Sequence, residues 1–417
     1  MSGDQAAAVG PGRGPLNGVR VLELGNLIAA PTAGRLLAEF GADVIKVERP
    51  LTGDELRGWR RGQGDTSLLF RTIARGKRSV TLDLKKPEGR DLVLALAAQC
   101  DVVLENFRPG TLERLGLGPA DLKAVRPDII LVRVSGYGQT GPYRDRPGFA
   151  SVAEALGGLR NLTGDPDRPP VRVGVSLGDS LAGLYAAFGV VMALLQRDRA
   201  RQRGEQVTGE TVDVALYEAV FGMLEDLIPE HDGYGVERLR TGASLPGIVP
   251  SNTYGCAGGT WVVIGGNGDA IFRRLLLAVE RPDLAEDPRL ADNSQRVEHR
   301  ELIDGAIRDW TTRHDLDVVV RTLEGHGIPV GPIYQAADIL KDPHYAARDM
   351  LVPHEVELQP GDVRTITFPG VVPKLEQSPG STRGIGPALG EHTDSVLKQL
   401  LDVSEEELGR LRDAGVL

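Results

Sequence analysis

G-V-R-V-L-E-L-G-N-L-I-A-A-P-T-A-G-R-L-L-A-E-F-G-A-D-V-I-K-V-E-R, residues 18–49, is the stretch whose reading decides the fold. Residues 18–24 form a strand pattern, 31–40 a helix, and 42–47 a second strand that ends at Glu48-Arg49. That order is a βαβ unit. The same alternation continues, with strands at 79–84, 102–105 and 129–134 and helices at 88–99 and 119–125. Strands alternating with helices of this length imply a parallel sheet with helices on its faces. A dinucleotide cofactor does not fit the first turn. The loop Gly25-Asn26-Leu27-Ile28-Ala29-Ala30-Pro31 lacks the G-x-G-x-x-G glycines, and Ile28 crowds the place a pyrophosphate needs.

Further along, 173–199 reads V-G-V-S-L-G-D-S-L-A-G-L-Y-A-A-F-G-V-V-M-A-L-L-Q-R-D-R. From Ser180 to Leu195 no residue is charged, and small apolar types dominate. This is expected to be a helix buried on nearly every side, too short and too rich in Gly and Ala for a membrane span. Its first turn carries a lone carboxylate, Asp179, between Gly178 and Ser180. Helix N–H groups and the helix dipole keep such a carboxylate ionised, and the glycine beside it admits a ligand. An ordinary Asp N-cap explains the same residues, and on this segment alone both readings stand.

The chain has 417 residues, enough for at least two domains. Apolar residues make up 41% and charged residues 25%, as in a soluble globular protein. A net charge of −10 argues against a nucleic-acid surface. The first 15 residues read as a disordered tail, not a signal peptide. Two cysteines, Cys100 and Cys256, far apart in sequence, suit a reducing cytoplasm and no disulfide framework. All seven histidines follow residue 230 without metal-ligand pairing, so no metal site is expected. Serine-hydrolase chemistry is not expected either. A carboxylate remains as a covalent nucleophile, which suffices against an activated electrophile such as a thioester. The domain reading is a large domain over 16–228, a linker at 229–254, a small domain over 255–335, a linker at 336–390, and returning helices at 391–417. The Gly-rich G-G-N-G at 265–268 has no Lys-Ser/Thr after it; it either covers a substrate or is simply a turn.

Several segments together resemble the class III coenzyme A transferases, the formyl-CoA transferase and carnitine CoA-transferase type. They are L-x-G-V-R-V-L-E-L (16–24), F-G-A-D-V-I-K-V-E-R-P (40–50), G-K-R-S-V-T-L-D-L-K (76–85) and E-N-F-R-P-G-T-L-E-R-L-G-L (105–117), with V-S-G-Y-G-Q-T-G-P (134–142) and L-G-D-S-L-A-G (177–183). The match runs over essentially the whole chain after the tail. Two finer patterns, 148–164 and 239–254, look like the branch that pairs succinyl-CoA with dicarboxylate acceptors such as malate, citramalate or glutarate.

The resemblance implies an α/β fold: a Rossmann-like large domain formed by the N- and C-terminal parts, a small α+β domain, and an interlocked homodimer. It implies Asp179 as the nucleophile, passing through an aspartyl anhydride and an aspartyl-CoA thioester. CoA contacts carry over to Ile28, Ala29, Arg49, Leu82, Lys85, Asn106, Phe107, Arg108, Arg114, Arg146 and Phe149. Each of these cations read alone is an ordinary surface charge. No tightly bound cofactor is implied, coenzyme A entering as the acyl-CoA substrate. Where formyl-CoA enzymes carry Gln and Glu, this chain has Ile28 and Ala150, which disfavours formate and oxalate.

A distal acceptor carboxylate needs a cation or several N–H donors. Arg240, with Gly265 and Gly266, is the expected set, although Arg238 and Arg240 equally suit a role pinning the linker to a partner chain. The rival of the same fold, an α-methylacyl-CoA racemase, has a His before the nucleophile position; this chain has none before His231. A non-catalytic CoA-binding protein is the other alternative. Neither nucleic acid nor membrane is an expected partner.

Overall fold

The computed structural model describes residues 14–60 and 66–417. The proposed tail therefore lies mostly outside the described residues. Gly14 already belongs to the folded part: Asn17 N–H donates to its carbonyl, and a side chain at Gly14 would collide with Phe40 O.

The described residues divide into two compact units, one drawn from 14–159, 173–226 and 344–417, the other from 160–172 and 227–343. In the first, β1 (Arg20–Glu23), β2 (Asp43–Glu48), β3 (Lys77–Thr81), β4 (Val102–Glu105), β5 (Ile130–Ser135) and β6 (Thr211–Ala215) form one sheet. Its order is β3-β2-β1-β4-β5-β6, and every pairing is parallel. Neighbouring residues of each strand feed opposite cores. Val21, Val44 and Val132 join α1 (Ala29–Glu39) and the long helix Leu177–Gln202 on one face. Leu22, Ile45 and Leu131 join the helix Pro87–Ala98 and the returning C-terminal helices Thr393–Leu401 and Glu405–Asp413 on the other. Burial on both faces is why apolar residues in β1, β2, β4 and β5 come in runs, Val21-Leu22, Val44-Ile45, Val102-Val103-Leu104 and Ile130-Leu131-Val132, instead of alternating with polar ones.

The long helix corrects the sequence reading. Ala182, Ala186, Ala187, Val190 and Ala193 are buried, but Leu184, Phe188, Val191, Met192 and Leu195 are exposed along the other face. It is the one described helix long and apolar enough to cross a membrane, and half of its most apolar stretch is buried in the protein. Composition cannot separate an all-round buried helix from one with a bare apolar stripe. Gly183 lets it touch α1: a Cβ there would lie 2.7 Å from Ala29 O and 2.7 Å from the Thr32 Cβ.

In the second unit, β7 (Ser251–Gly255), β8 (Trp261–Gly265) and β9 (Val330–Pro332) form an antiparallel sheet in the order β7-β8-β9. The helices Asp269–Ala278, Arg300–Thr311 and Leu316–Gly325 share its core through Phe272, Ile303 and Leu323. The two segments read as linkers are not structureless. Residues 229–254 include most of a helix, Leu227–Tyr234, and nearly all of β7. Residues 336–390 include two short helices and the hairpin of β10 (Leu351–Gln359) with β11 (Asp362–Pro369). Their Gly and Pro content hid these short elements.

Candidate active site

Strand order reverses between β1 and β4, and in open parallel sheets the crevice for ligands lies there, beyond the carboxyl ends of the strands. A cavity of about 540 Å³ opens at those ends. Leu24 and Asn26 follow β1 in it, Arg49 follows β2, Leu82 and Lys85 follow β3, and Phe107 follows β4. Four of the expected CoA residues, Arg49, Leu82, Lys85 and Phe107, are thereby brought together. Arg49 is exposed and pairs with Glu55 at 3.1 Å. Lys85 is exposed, and its ammonium has no ion-pair partner among the described residues.

The other expected contacts are less uniform. Ile28 and Ala29 are buried at the start of α1. Asn106 is a clasp: its Oδ1 accepts from Asn26 N–H at 2.8 Å and its Nδ2 donates to Asn26 O at 2.8 Å. Arg108 and Arg114 are exposed, and Arg114 donates to Thr111 Oγ1 at 2.9 Å beside the cavity. Arg146 stacks 3.6 Å above the Tyr143 ring, and Phe149 is exposed at the head of the helix Ala150–Leu156.

Asp179 is the third residue of the long helix, so Ser176, not Asp179, occupies the N-cap, and Ser176 makes no side-chain cap. Half-buried in the first turn, the Asp179 carboxylate sits where the helix dipole favours negative charge. Gly178 is buried next to it. Its N–H donates to Glu154 Oε1 at 3.3 Å, and a Cβ at Gly178 would meet Glu154, Val220 and Ala150 at 3.3–3.5 Å. Glu154, itself buried, thus braces the backbone beside Asp179.

Several of these supporting residues escape a sequence reading. Glu23, Lys46, Asp54, Lys77 and Glu105 are all buried. Burial works against the Lys46 charge, but Asp54 and Glu23 outweigh it and hold the ammonium above its ordinary range. Burial pulls Lys77 down to about 8 despite Glu23 at 2.7 Å. Burial likewise lifts Glu105 to about 7 against the Arg133 guanidinium, which donates to it at 2.7 Å. Glu105 also accepts from Phe107 N–H at 2.7 Å, so the E-N-F motif anchors its own loop. The available signal was charge standing inside apolar strands, which must be paired when both faces are covered.

Three motifs resolve against other chemistries. Glu48 is spent on Arg57, at 2.7 and 2.8 Å, and on Ser79 at 2.6 Å, so it is committed to a buried ion pair. The glycines of G-Y-G-Q-T-G (136–141) follow β5 with dinucleotide spacing, but no helix opens there. Gly138 N–H goes to Ser135 Oγ and Gln139 N–H to Asp213. Ser176 stands in G-V-S-L-G (174–178), the spacing of a hydrolase elbow that the sequence reading passed over. An elbow needs a strand running directly into the turn, and the element before Ser176 is the helix Leu159–Leu162.

In the second unit, Arg240 donates to Asp165 O, Asn161 O and Asn161 Oδ1 at 3.3–3.4 Å. Gly265 and Gly266 spend their N–H groups on Pro329 O and Pro250 O. A Cβ on Gly266 would come 2.5 Å from the end of the Leu275 side chain and 3.2 Å from Pro250, so packing favours a glycine there without any substrate. Among the described residues no cluster of His, Cys, Asp and Glu could hold a metal.

Comparison with known proteins places the chain as a whole. The family model for CoA-transferase family III matches residues 16–393. The chain is 47% identical to the succinyl-CoA–D-citramalate CoA-transferase of Chloroflexus aurantiacus, over 97% of this chain and 98% of that protein. It is 34% identical to the succinate–glutarate CoA-transferase of Agrobacterium fabrum, over 93% and 96% of the two chains. A crystal structure of a CaiB/BaiF family protein from Brucella suis superposes with a TM-score of 0.82 at 33% identity, covering 93% of this chain and all of that one (100%). With its six-stranded parallel sheet the chain shares the mixed α/β fold of that structure, and it belongs to CoA-transferase family III and is a CoA-transferase.

Proposed function

We propose that the protein moves CoA from succinyl-CoA to a dicarboxylic acid of four to six carbons, such as citramalate, malate or glutarate, with Asp179 as nucleophile. An Asp179 oxygen attacks the thioester carbonyl, and the C–S bond breaks to give a mixed anhydride and CoA thiolate. The thiolate attacks the aspartyl carbonyl, releases succinate and leaves an aspartyl-CoA thioester. The acceptor carboxylate attacks that thioester, expelling thiolate and forming a second anhydride. Thiolate attack on the acceptor carbonyl then yields the new acyl-CoA and restores Asp179. Each step exchanges one acyl bond for another and needs neither metal nor redox partner.

The observation that supports this most is a half-buried carboxylate in the first turn of a helix, in the same compact unit as a cavity edged by Arg49 and Lys85. Those two cations, with Arg108 and Arg114, are the proposed partners of the CoA phosphates. Arg240 is the proposed cation for the distal carboxylate: among the described residues its hydrogen bonds go to neutral oxygens, and it forms no ion pair. The bare stripe Leu184, Phe188, Val191, Met192 and Leu195 supports a homodimer, since apolar patches of that kind mark interfaces. Both cysteines are buried and free, which suits the cytosol.

The test is a panel of acyl-CoA donors with mono- and dicarboxylic acceptors, read by mass spectrometry, on wild type and Asp179→Ala. Exchange with dicarboxylates that disappears in the variant supports the reading. Monocarboxylates outperforming every dicarboxylate would overturn the substrate pair. Activity surviving in Asp179→Ala would overturn the mechanism, and deuterium entering Cα without acid exchange would identify a racemase.

A further inference from the structure

The loop between β1 and α1 is fixed by side chains from three other elements. Lys46, in β2 and 1% exposed, donates to Gly25 O at 2.7 Å while pairing with Asp54 at 2.8 Å and Glu23 at 3.1 Å. Asp54 accepts Leu27 N–H on both oxygens, at 3.0 and 3.1 Å, and caps the short turn Glu55–Gly58 through Leu56 N–H. Asn106 holds both backbone groups of Asn26. Three consecutive residues are thus clamped, and Leu27 is kept at φ +63°, a left-handed conformation that side chains other than glycine rarely adopt. Directly after it come Ile28 and Ala29, and the Ala29 carbonyl lies against Gly183, one helical turn beyond Asp179. Asn26 lines the cavity itself.

A buried ion pair generally stabilises a protein no better than apolar residues of the same volume. Its use here therefore calls for a geometric reason, and the clamped loop supplies one. We infer that the buried Lys46–Asp54 pair is a positioning device for CoA transfer, holding residues 25–27, with Leu27 left-handed, in the turn that shapes the acyl-CoA crevice and seats α1 against the nucleophile helix. The inference rests on the crevice and Asp179 reading above. Both side chains are at most 1% exposed, so they act through the loop and touch no substrate. When a binding-competent shape is only partly populated, the apparent affinity falls by that fraction, while molecules that do bind react normally.

The experiment uses the full chain with succinyl-CoA and the best acceptor from the panel, comparing wild type, Asp54→Ala, Asp54→Asn, Leu27→Gly and the double variants Asp54→Ala/Leu27→Gly and Asp54→Asn/Leu27→Gly. Steady-state kinetics, thermal melting and hydrogen exchange at the Leu27 amide are measured. Asp54→Ala is expected to raise the acyl-CoA KM about tenfold or more with kcat within about threefold, and to lose protection at Leu27. Leu27→Gly in the same chain is expected to recover most of the KM, because glycine takes that conformation without strain. A merely stabilising role would lower the melting point without a KM split and without rescue by glycine. An unchanged KM in a folded Asp54→Ala, or a loss that glycine does not restore, overturns the inference. Should Asp54→Ala fail to fold, Asp54→Asn decides: it keeps an acceptor for Leu27 but withdraws the charge from Lys46. A KM raised about threefold and restored by Leu27→Gly supports the inference, and an unchanged KM overturns it. If wild type transfers nothing to any acid, or Asp179→Ala stays active, the underlying reading fails instead.

Discussion

In the six-stranded sheet, Glu23, Lys46, Glu48, Lys77, Glu105 and Arg133 all stand inside strands and are buried, whereas β8 of the second unit alternates exposed and buried residues. The second unit keeps its buried carboxylate, Asp304, on a flanking helix, where it accepts from Tyr254 Oη at 2.6 Å and Asn252 Nδ2 at 3.0 Å. A sheet covered on both faces has no water to offer a charged side chain, so every charge must find an opposite partner. In the antiparallel sheet of the second unit, β8 turns the apolar Trp261 and Val263 to its open face, and no charged residue stands inside that strand. The first unit therefore stores its charge pairs in the strands next to its crevice, whereas the second carries its buried charges on helices, Asp304 with Tyr254 and Asn252 and Arg296 with Asp269 at 2.7 Å.

Breaking a charge pair should separate the two regions most sharply. Glu23→Gln leaves Lys46 and Lys77 short of their shared counter-ion and should cost about 3–5 kcal/mol in denaturant titration. Asp304→Ala strands the Tyr254 hydroxyl and the Asn252 amide, a smaller loss of about 1–3 kcal/mol. Equal losses from both would dissolve the contrast between the sheets.

At the crevice, Lys85→Ala should weaken acyl-CoA binding roughly tenfold, about 1.4 kcal/mol by calorimetry. Arg49→Ala should cost less, since Arg49 already holds Glu55. The reverse ranking would mean that Arg49 leaves Glu55 for the ligand.

The smallest effect concerns pH. Glu105 is raised in the folded protein to about 7 from 4.5, so between those values the native state keeps a proton that the unfolded chain has released. Its contribution to stability therefore falls as pH rises from about 4.5 to about 7 and is flat above that. Glu105→Gln should remove that slope, so the stability difference between variant and wild type should change across this window; a constant difference would count against the raised value.

The first βαβ unit, the parallel sheet and the C-terminal helices were legible because buried strands and amphipathic helices have strong periodicity. The order of β4 relative to β1 was not, because pairing between distant strands leaves no local pattern. Asp179 stood out as a lone carboxylate beside an uncharged run, and Arg49, Lys85 and Phe107 through the resemblance. Asp54 and Asn106 acquire their roles only when the loop after β1 meets them in space. The exposed stripe from Leu184 to Leu195 was misread for a related reason: Gly, Ala and Leu suit a core and an interface equally well.

The crevice also has an edge made by the end of the fold. Gly415 lines it, Val416 O accepts from Asp83 N–H at 2.8 Å, and Lys86 donates to Ala414 O across 328 positions of sequence. On the ribosome, the first three strands emerge long before residues 405–416 exist. During synthesis this edge of the crevice is therefore added well after the first three strands, and a ligand that needs it stabilises only a chain in which residues 405–416 have docked.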